Sequence, residues 1–117
     1  MRPILATALF LTLAVPALAA GPNGGVVVVA DGHPIEFVAS DAALTFFVTD
    51  DDGGPAKTVG VTGKAFVQAG GRTETVALAG AEPNRLVGTL KAPLPAGAKV
   101  VLSARMHGHT LQARFER

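Results

Sequence analysis

The sequence predicts an all-β domain, an antiparallel immunoglobulin-like β-sandwich of about eight short strands. Runs rich in Val, Phe and Thr alternate with Gly, Asp and Pro turn signals from residue 25 onward. Beyond the N-terminal leader, no stretch carries apolar residues at the i, i+3, i+4, i+7 spacing of an amphipathic helix. A small closed barrel is the alternative arrangement of the same strands.

The first 19 residues have the pattern of a secretory signal peptide. Arg2 provides the positive charge, Ile4–Val15 is mostly apolar, and Ala17-Leu18-Ala19 offers small residues for cleavage after Ala19. A retained membrane anchor is the alternative, but the apolar run is short for a bilayer. We therefore expect a signal peptide over 1–19, a flexible lead-in over 20–24 and the β domain over 25–117. The protein would be periplasmic or secreted, with no membrane span after cleavage.

Strand positions follow from alternation and turn chemistry. The valines at 26–29 are typical of a buried or edge strand, and Asp31-Gly32 is a strong hairpin signal. Gly70-Gly71 provides a second tight turn, across which Ala65 faces Val76. The predicted strands are 25–30, 33–40, 43–49, 63–69, 72–78, 85–91, 99–106 and 109–116.

The last hairpin has the best-specified register. Pairing outward from a His107-Gly108 turn places Lys99 opposite Glu116 and Met106 opposite His109. Because side chains alternate between faces, a slip of one residue would expose every apolar group. The predicted dry face consists of Val100, Leu102, Ala104, Leu111, Ala113 and Phe115.

Composition excludes several function classes. The chain has no Cys, so disulfides, thiolate metal sites and a catalytic cysteine are impossible. Ten basic side chains, one of them Arg2 in the leader, stand against nine acidic ones, and no basic stripe predicts a nucleic-acid partner. The absence of Trp and Tyr argues against stacking on carbohydrates or bases.

Motifs of enzymes are also missing. Ser40 and Ser103 are the only serines, and neither lies in a nucleophile elbow. The sequence has no HExxH, P-loop or dinucleotide fingerprint. We expect a protein that is not an enzyme and has no catalytic residues.

Potential metal ligands concentrate at one end of the predicted fold. If each connection reverses the direction of the chain, every second loop lies at the same end of the fold. Counted back from the His107-Gly108 turn, the end that contains this turn also contains His33 and His109. Met106 lies beside His109, and a thioether next to an imidazole suits copper, especially Cu(I). The same end receives the acidic side chains of Asp31, Asp50, Asp51, Asp52 and Glu82.

These ligand-type residues also have a structural interpretation. Met106 would plug the end of the core, His109 would cap it, and His107 would adopt a turn conformation. The run Asp50-Asp51-Asp52-Gly53 lacks the alternate spacing and terminal Glu of an EF-hand, so a solvated turn is favoured over a calcium site.

Several short motifs resemble a group of small exported proteobacterial proteins of unknown function. They are the segment Gly21–Gly25 after the leader, Phe46–Asp50 before an Asp/Gly/Pro turn, Asn84-Arg85-Leu86, and Ala113-Arg114-Phe115 near the end. The resemblance implies an accessory protein near heavy-metal or copper efflux systems. Members with a His before the Gly-Gly pair would have a ligand there, whereas this chain has Asn23.

The leading expectation is a non-enzymatic periplasmic binding or accessory protein. It would handle copper or another heavy metal through His33, Met106, His107 and His109. The alternative is a structural module that pairs with an envelope protein through a strand edge and binds no metal.

Overall fold

The computed structural model describes residues 20–117 and confirms an all-β antiparallel fold, with no helix in that range. The signal peptide predicted over 1–19 lies outside the described residues. No helix among residues 20–117 has the length and apolar character needed to cross a bilayer. The strands are β1 (Val26–Ala30), β2 (His33–Ala39), β3 (Ala43–Val48), β4 (Thr62–Ala69), β5 (Arg72–Ala81), β6 (Arg85–Thr89), β7 (Lys99–Met106) and β8 (His109–Glu116).

All eight strands belong to one sheet, in the order β1-β2-β3-β6-β5-β4-β7-β8. The two end strands, β1 and β8, lie next to each other, so the sheet curls into a nearly closed barrel. The immunoglobulin-like sandwich is therefore not confirmed, because that architecture keeps its strands in two sheets. The small-barrel alternative describes the sheet better.

Strand β5 explains why there is one sheet. The sequence predicts that β5 ends at Leu78, but the strand continues to Ala81 and pairs with β6 over Ala79–Ala81. Those three residue pairs join β1-β2-β3-β6 to β5-β4-β7-β8, which would otherwise be two four-stranded sheets. Gly80 permits the junction, because a Cβ on it would collide with the Thr58 carbonyl oxygen.

The hairpin registers agree with the sequence prediction. Lys99 pairs with Glu116 and Met106 with His109, while Ala65 pairs with Val76. Both turns that lie at the ligand-rich end have two residues with positive φ: Asp31-Gly32 at 54° and 81°, and His107-Gly108 at 53° and 82°. This is the pattern of a type I′ turn, whose twist matches that of the flanking strands.

The core fills the barrel and holds its two edges together. Phe37 of β2, Phe46 of β3 and Phe115 of β8 are buried, with ring centroids 5.2 to 5.6 Å apart. Aromatic contacts at this spacing add to the free energy of apolar burial. Because Phe115 belongs to the last strand, this cluster connects β8 to the β1 side without a backbone ladder. All six residues of the predicted dry face are buried.

Candidate functional site

The three histidines lie at one end of the barrel, which we call the barrel mouth and define by Asp31, His33, Asp50, Met106, His107 and His109. Two hairpin ends build it. Ala30 pairs with His33 where β1 turns into β2, and Met106 pairs with His109 where β7 turns into β8. The prediction that the histidines share one end is confirmed: the His33 ring lies 6.3 Å from the His107 ring and 6.0 Å from the His109 ring, centroid to centroid.

His33 is the fixed member of the group. It is 8% exposed, and its Nδ1 lies 3.0 Å from the carbonyl oxygen of Thr49. A carbonyl oxygen can only accept, so Nδ1 carries the proton and Nε2 keeps a free lone pair. The residue is thus held in the tautomer in which Nε2 can bind an electrophile.

Asp50 connects His33 to His107. Its Oδ1 lies 3.9 Å from His33 Nδ1 and 4.0 Å from His107 Nδ1. The position follows from the strand register: Val48 pairs with Ile35, so the chain brings Asp50 to the level of His33. One carboxylate therefore lies between the Nδ1 atoms of two imidazole rings that belong to different hairpins.

His109 has its own carboxylate. Its Nε2 lies 3.2 Å from Asp31 Oδ2, and its ring stacks on His33 with an interplanar angle of 29°. The side chains of His109 and His107 are 42% and 45% exposed, so both have room to rotate. Each histidine of the mouth therefore has one ring nitrogen next to an acceptor and the other available.

Met106 forms the inner boundary of the mouth. It is 4% exposed, belongs to the hydrophobic core and lies directly across the hairpin from His109. This position agrees with the predicted structural role, in which Met106 fills the end of the core. It also places a thioether beside an imidazole. The rings do not converge in their present rotamers: within residues 20–117, no group of three or more His, Asp or Glu side chains is arranged to hold a metal ion.

The aspartate run after β3 forms a compact turn. Asp50 N–H donates to the Gly54 carbonyl at 2.7 Å, and Gly53 N–H donates to the Asp50 carbonyl at 3.0 Å. Asp52 Oδ1 accepts from Gly54 N–H at 2.9 Å, and Asp51 and Asp52 are exposed. This geometry is that of the solvated turn favoured by the sequence.

Sequence reasoning missed Glu36. Strand alternation puts it on the outer face between the buried Ile35 and Phe37, where a carboxylate would normally be solvated. It is instead 5% exposed, because residues 21–25, most of which belong to the 20–24 segment expected to be a flexible lead-in, fold over it. Its oxygens accept hydrogen bonds from Asn23 N–H and Nδ2 at 2.9 Å and from Gly25 N–H at 2.8 Å. The feature of the sequence that relates to this contact is the Gly-rich segment 21–25. A side chain at Gly21 would not fit, because its Cβ would collide with the Glu36 carboxyl group.

Comparisons of the chain with protein families, with curated proteins and with solved structures gave no match. The resemblance to exported accessory proteins therefore stays a prediction.

Proposed function

We propose that this protein binds a transition-metal ion, copper first among them, at the barrel mouth. His33, His107 and His109 would be the imidazole ligands and Met106 an additional thioether ligand. The observation that supports the proposal is the spacing of three imidazole rings from two separate hairpins, 6.0 and 6.3 Å from the central ring.

The ring spacing is close to what one metal ion requires. A metal–nitrogen bond of about 2.0 Å places the ring centroid roughly 3.2 Å from the ion, so two ligating rings have centroids about 5 to 6 Å apart. His33 would keep its position, with Nε2 as the ligand atom. The His107 and His109 rings would each rotate about one side-chain torsion angle, which the exposure of these side chains permits.

The partners of the rings also support the proposal. Histidines that ligate metals usually donate the second ring N–H to a carboxylate or a backbone carbonyl, which fixes the ring and increases its basicity. Here Thr49 O lies 3.0 Å from His33 Nδ1 and Asp31 Oδ2 lies 3.2 Å from His109 Nε2, while Asp50 Oδ1 lies 4.0 Å from His107 Nδ1, just beyond hydrogen-bond distance. This set leaves one nitrogen per ring for the ion.

Ligand chemistry favours copper. Imidazole binds Zn, Ni and Cu, but a thioether selects for Cu(I), and copper heads the affinity order among the divalent ions. A cysteine-free chain whose first 19 residues are predicted to be a signal peptide suits a periplasmic carrier or accessory role in copper or heavy-metal handling. We infer a non-enzymatic function, in which the ion itself is the cargo.

A competition titration tests this function. We expect the protein to take Cu(I) from a chromogenic chelator of micromolar affinity, and Cu(II) to give an electron paramagnetic resonance spectrum with nitrogen hyperfine structure. The double variant Met106→Ala, His109→Ala should lose Cu(I) uptake, while Gln112→Ala, an exposed residue on β8, should keep it. Failure of the unmodified protein to compete with the chelator would disprove the proposal.

A second candidate is strand pairing with an envelope protein. β1 and β8 are the ends of the sheet, and no ladder joins them among residues 20–117. The β1 edge is bridged by Ala20 at Val26, but the rest of it carries no charge and Val29 is 65% exposed, whereas edges of this kind are usually protected. A photo-crosslinker placed at position 29 should then capture a protein even when all three histidines are replaced, and one at the exposed Thr75 should not. Equal labelling from both positions, or none, would contradict this role.

A further inference from the structure

We propose a second site, separate from the barrel mouth: a groove on the outer face that binds the ammonium group of a lysine side chain from a partner protein. We call it the Glu36 groove, and its walls are Asn23, Val27, Pro34, Glu36, Phe47 and Asn84. Its volume is about 230 Å³. The carboxylate of Glu36 lies at its base.

The groove exists because of the strand register. Val27 and Phe47 pair with Glu36 from either side, so all three point outward from the barrel. The Gly21–Gly25 segment folds over Glu36, and its Asn23 and Gly25 N–H groups donate hydrogen bonds to the carboxylate. The result is a short channel whose walls combine apolar side chains with the amides of Asn23 and Asn84 around the Glu36 carboxylate.

Glu36 is an anion without a cation. Among residues 20–117, the contacts within 4.0 Å between basic and acidic side chains are three His–Asp contacts at the barrel mouth, and none involves Glu36. Arg85 pairs with Phe47 in the same outward row, but its Nε donates to the Glu82 carbonyl at 2.8 Å, and it makes no ion pair with Glu36. Buried charges in proteins are normally paired, so an unpaired carboxylate at the base of a groove marks a place for an external cation.

The hydrogen bonds already made by Glu36 select the type of cation. A carboxylate has about four acceptor positions. Three are taken by Asn23 N–H, Asn23 Nδ2 and Gly25 N–H, two of them on Oε2 and one on Oε1. One position on Oε1 remains, which serves the single-point contact of an ammonium but not the two parallel bonds of a guanidinium.

The walls suit the rest of a lysine side chain. Val27 and Pro34 offer apolar surface to its methylene groups, and the half-buried Phe47 ring offers a face for a cation–π contact. Val29, further along the same outer face of β1, is 65% exposed and adds apolar surface for the partner around the lysine.

Peptide titration monitored by ¹⁵N NMR tests this site. Acetyl-Gly-Lys-Gly-amide should shift the Gly25 amide and the Asn23 side-chain amide signals saturably. The norleucine peptide, whose side chain keeps four carbons but lacks the ammonium group, should leave both signals unchanged, and the arginine peptide should bind roughly fivefold more weakly or worse. No shift with the lysine peptide, or equal shifts with norleucine or arginine, would overturn the proposal.

Two variants separate binding from folding. Glu36→Gln removes the charge and should abolish peptide binding. Because the same change disturbs the hydrogen bonds from Asn23, a second variant is needed to separate loss of charge from loss of local structure. Val27→Lys supplies an ammonium from the neighbouring strand at the same level of the sheet. We expect it to remove peptide binding while raising the midpoint of thermal unfolding. A Val27→Lys protein that still binds the peptide, or that is less stable than its parent, would contradict the inference.

Discussion

His33 donates its Nδ1 proton to the carbonyl oxygen of Thr49 across the end of the barrel, at 3.0 Å. The bond joins the start of β2 to the residue that follows β3, and it fixes the tautomer of the one buried imidazole among the three of the mouth. The rotations of His107 and His109 then determine whether the rings can share an ion.

Replacement of His33 should affect both stability and metal binding. His33→Ala leaves the Thr49 carbonyl without its donor and opens a small cavity, so we expect a loss of about 1–3 kcal/mol in the free energy of unfolding. His107→Ala, at an exposed side chain, should change stability by less than about 1 kcal/mol. Urea unfolding followed by circular dichroism measures both, since the chain has no Trp or Tyr for fluorescence. Equal stability losses in the two variants would show that His33 is not the fixed member of the mouth.

His107→Asn should separate stability from ligand binding. Residue 107 has a φ of 53°, and Asn adopts this left-handed conformation more readily than His. We expect a gain of roughly 0.3–1 kcal/mol in stability together with weaker copper uptake. The control is His109→Asn, at a strand position without positive φ, which should weaken uptake with no gain in stability. A destabilised His107→Asn protein would contradict the turn assignment.

The Glu36 contacts should hold the N-terminal segment on the barrel. Glu36→Ala leaves the two backbone N–H groups and the Asn23 amide without their acceptor, and we expect a loss of about 2–4 kcal/mol. Amide hydrogen exchange at Gly25 should accelerate more than exchange in β7. Glu74→Ala, on the other half of the sheet, is the matched control and should change stability by less than about 0.5 kcal/mol. Unchanged exchange at Gly25 in Glu36→Ala would show that other contacts hold residues 21–25.

Gly80→Ala tests the junction that makes one sheet. The added methyl group would overlap the Thr58 carbonyl, and Thr58 itself is fully buried with its hydroxyl donating to the Ala81 carbonyl at 2.8 Å. We expect a loss of about 2 kcal/mol or more, because the backbone there has to shift. Gly54→Ala is the matched control, since a Cβ there meets only Asp52 Oδ1 at 3.4 Å. Thermal unfolding of both variants gives the comparison, and equal midpoints would contradict the close packing of β5 on the 49–61 loop.

Alternation and turn chemistry determined the local structure of this protein. Asp31-Gly32 and His107-Gly108 specify their hairpins because two consecutive positive φ values need residues of this kind, and the period of two then assigns each side chain to a face. For the same reason, the placement of His33, His107 and His109 at the same end of the barrel could be predicted without coordinates. These properties depend on residues that are close together in the chain, so they can be predicted from the sequence.

The tertiary structure alone decided two things. Whether eight strands close into one sheet depended on three residue pairs between β5 and β6, and those rest on a Gly80 contact with a loop about twenty residues away in the chain. The burial of Glu36 likewise depended on residues 21–25 folding back over it. A pattern of alternation reports which face a side chain takes, but not what covers that face, because coverage comes from segments distant in sequence.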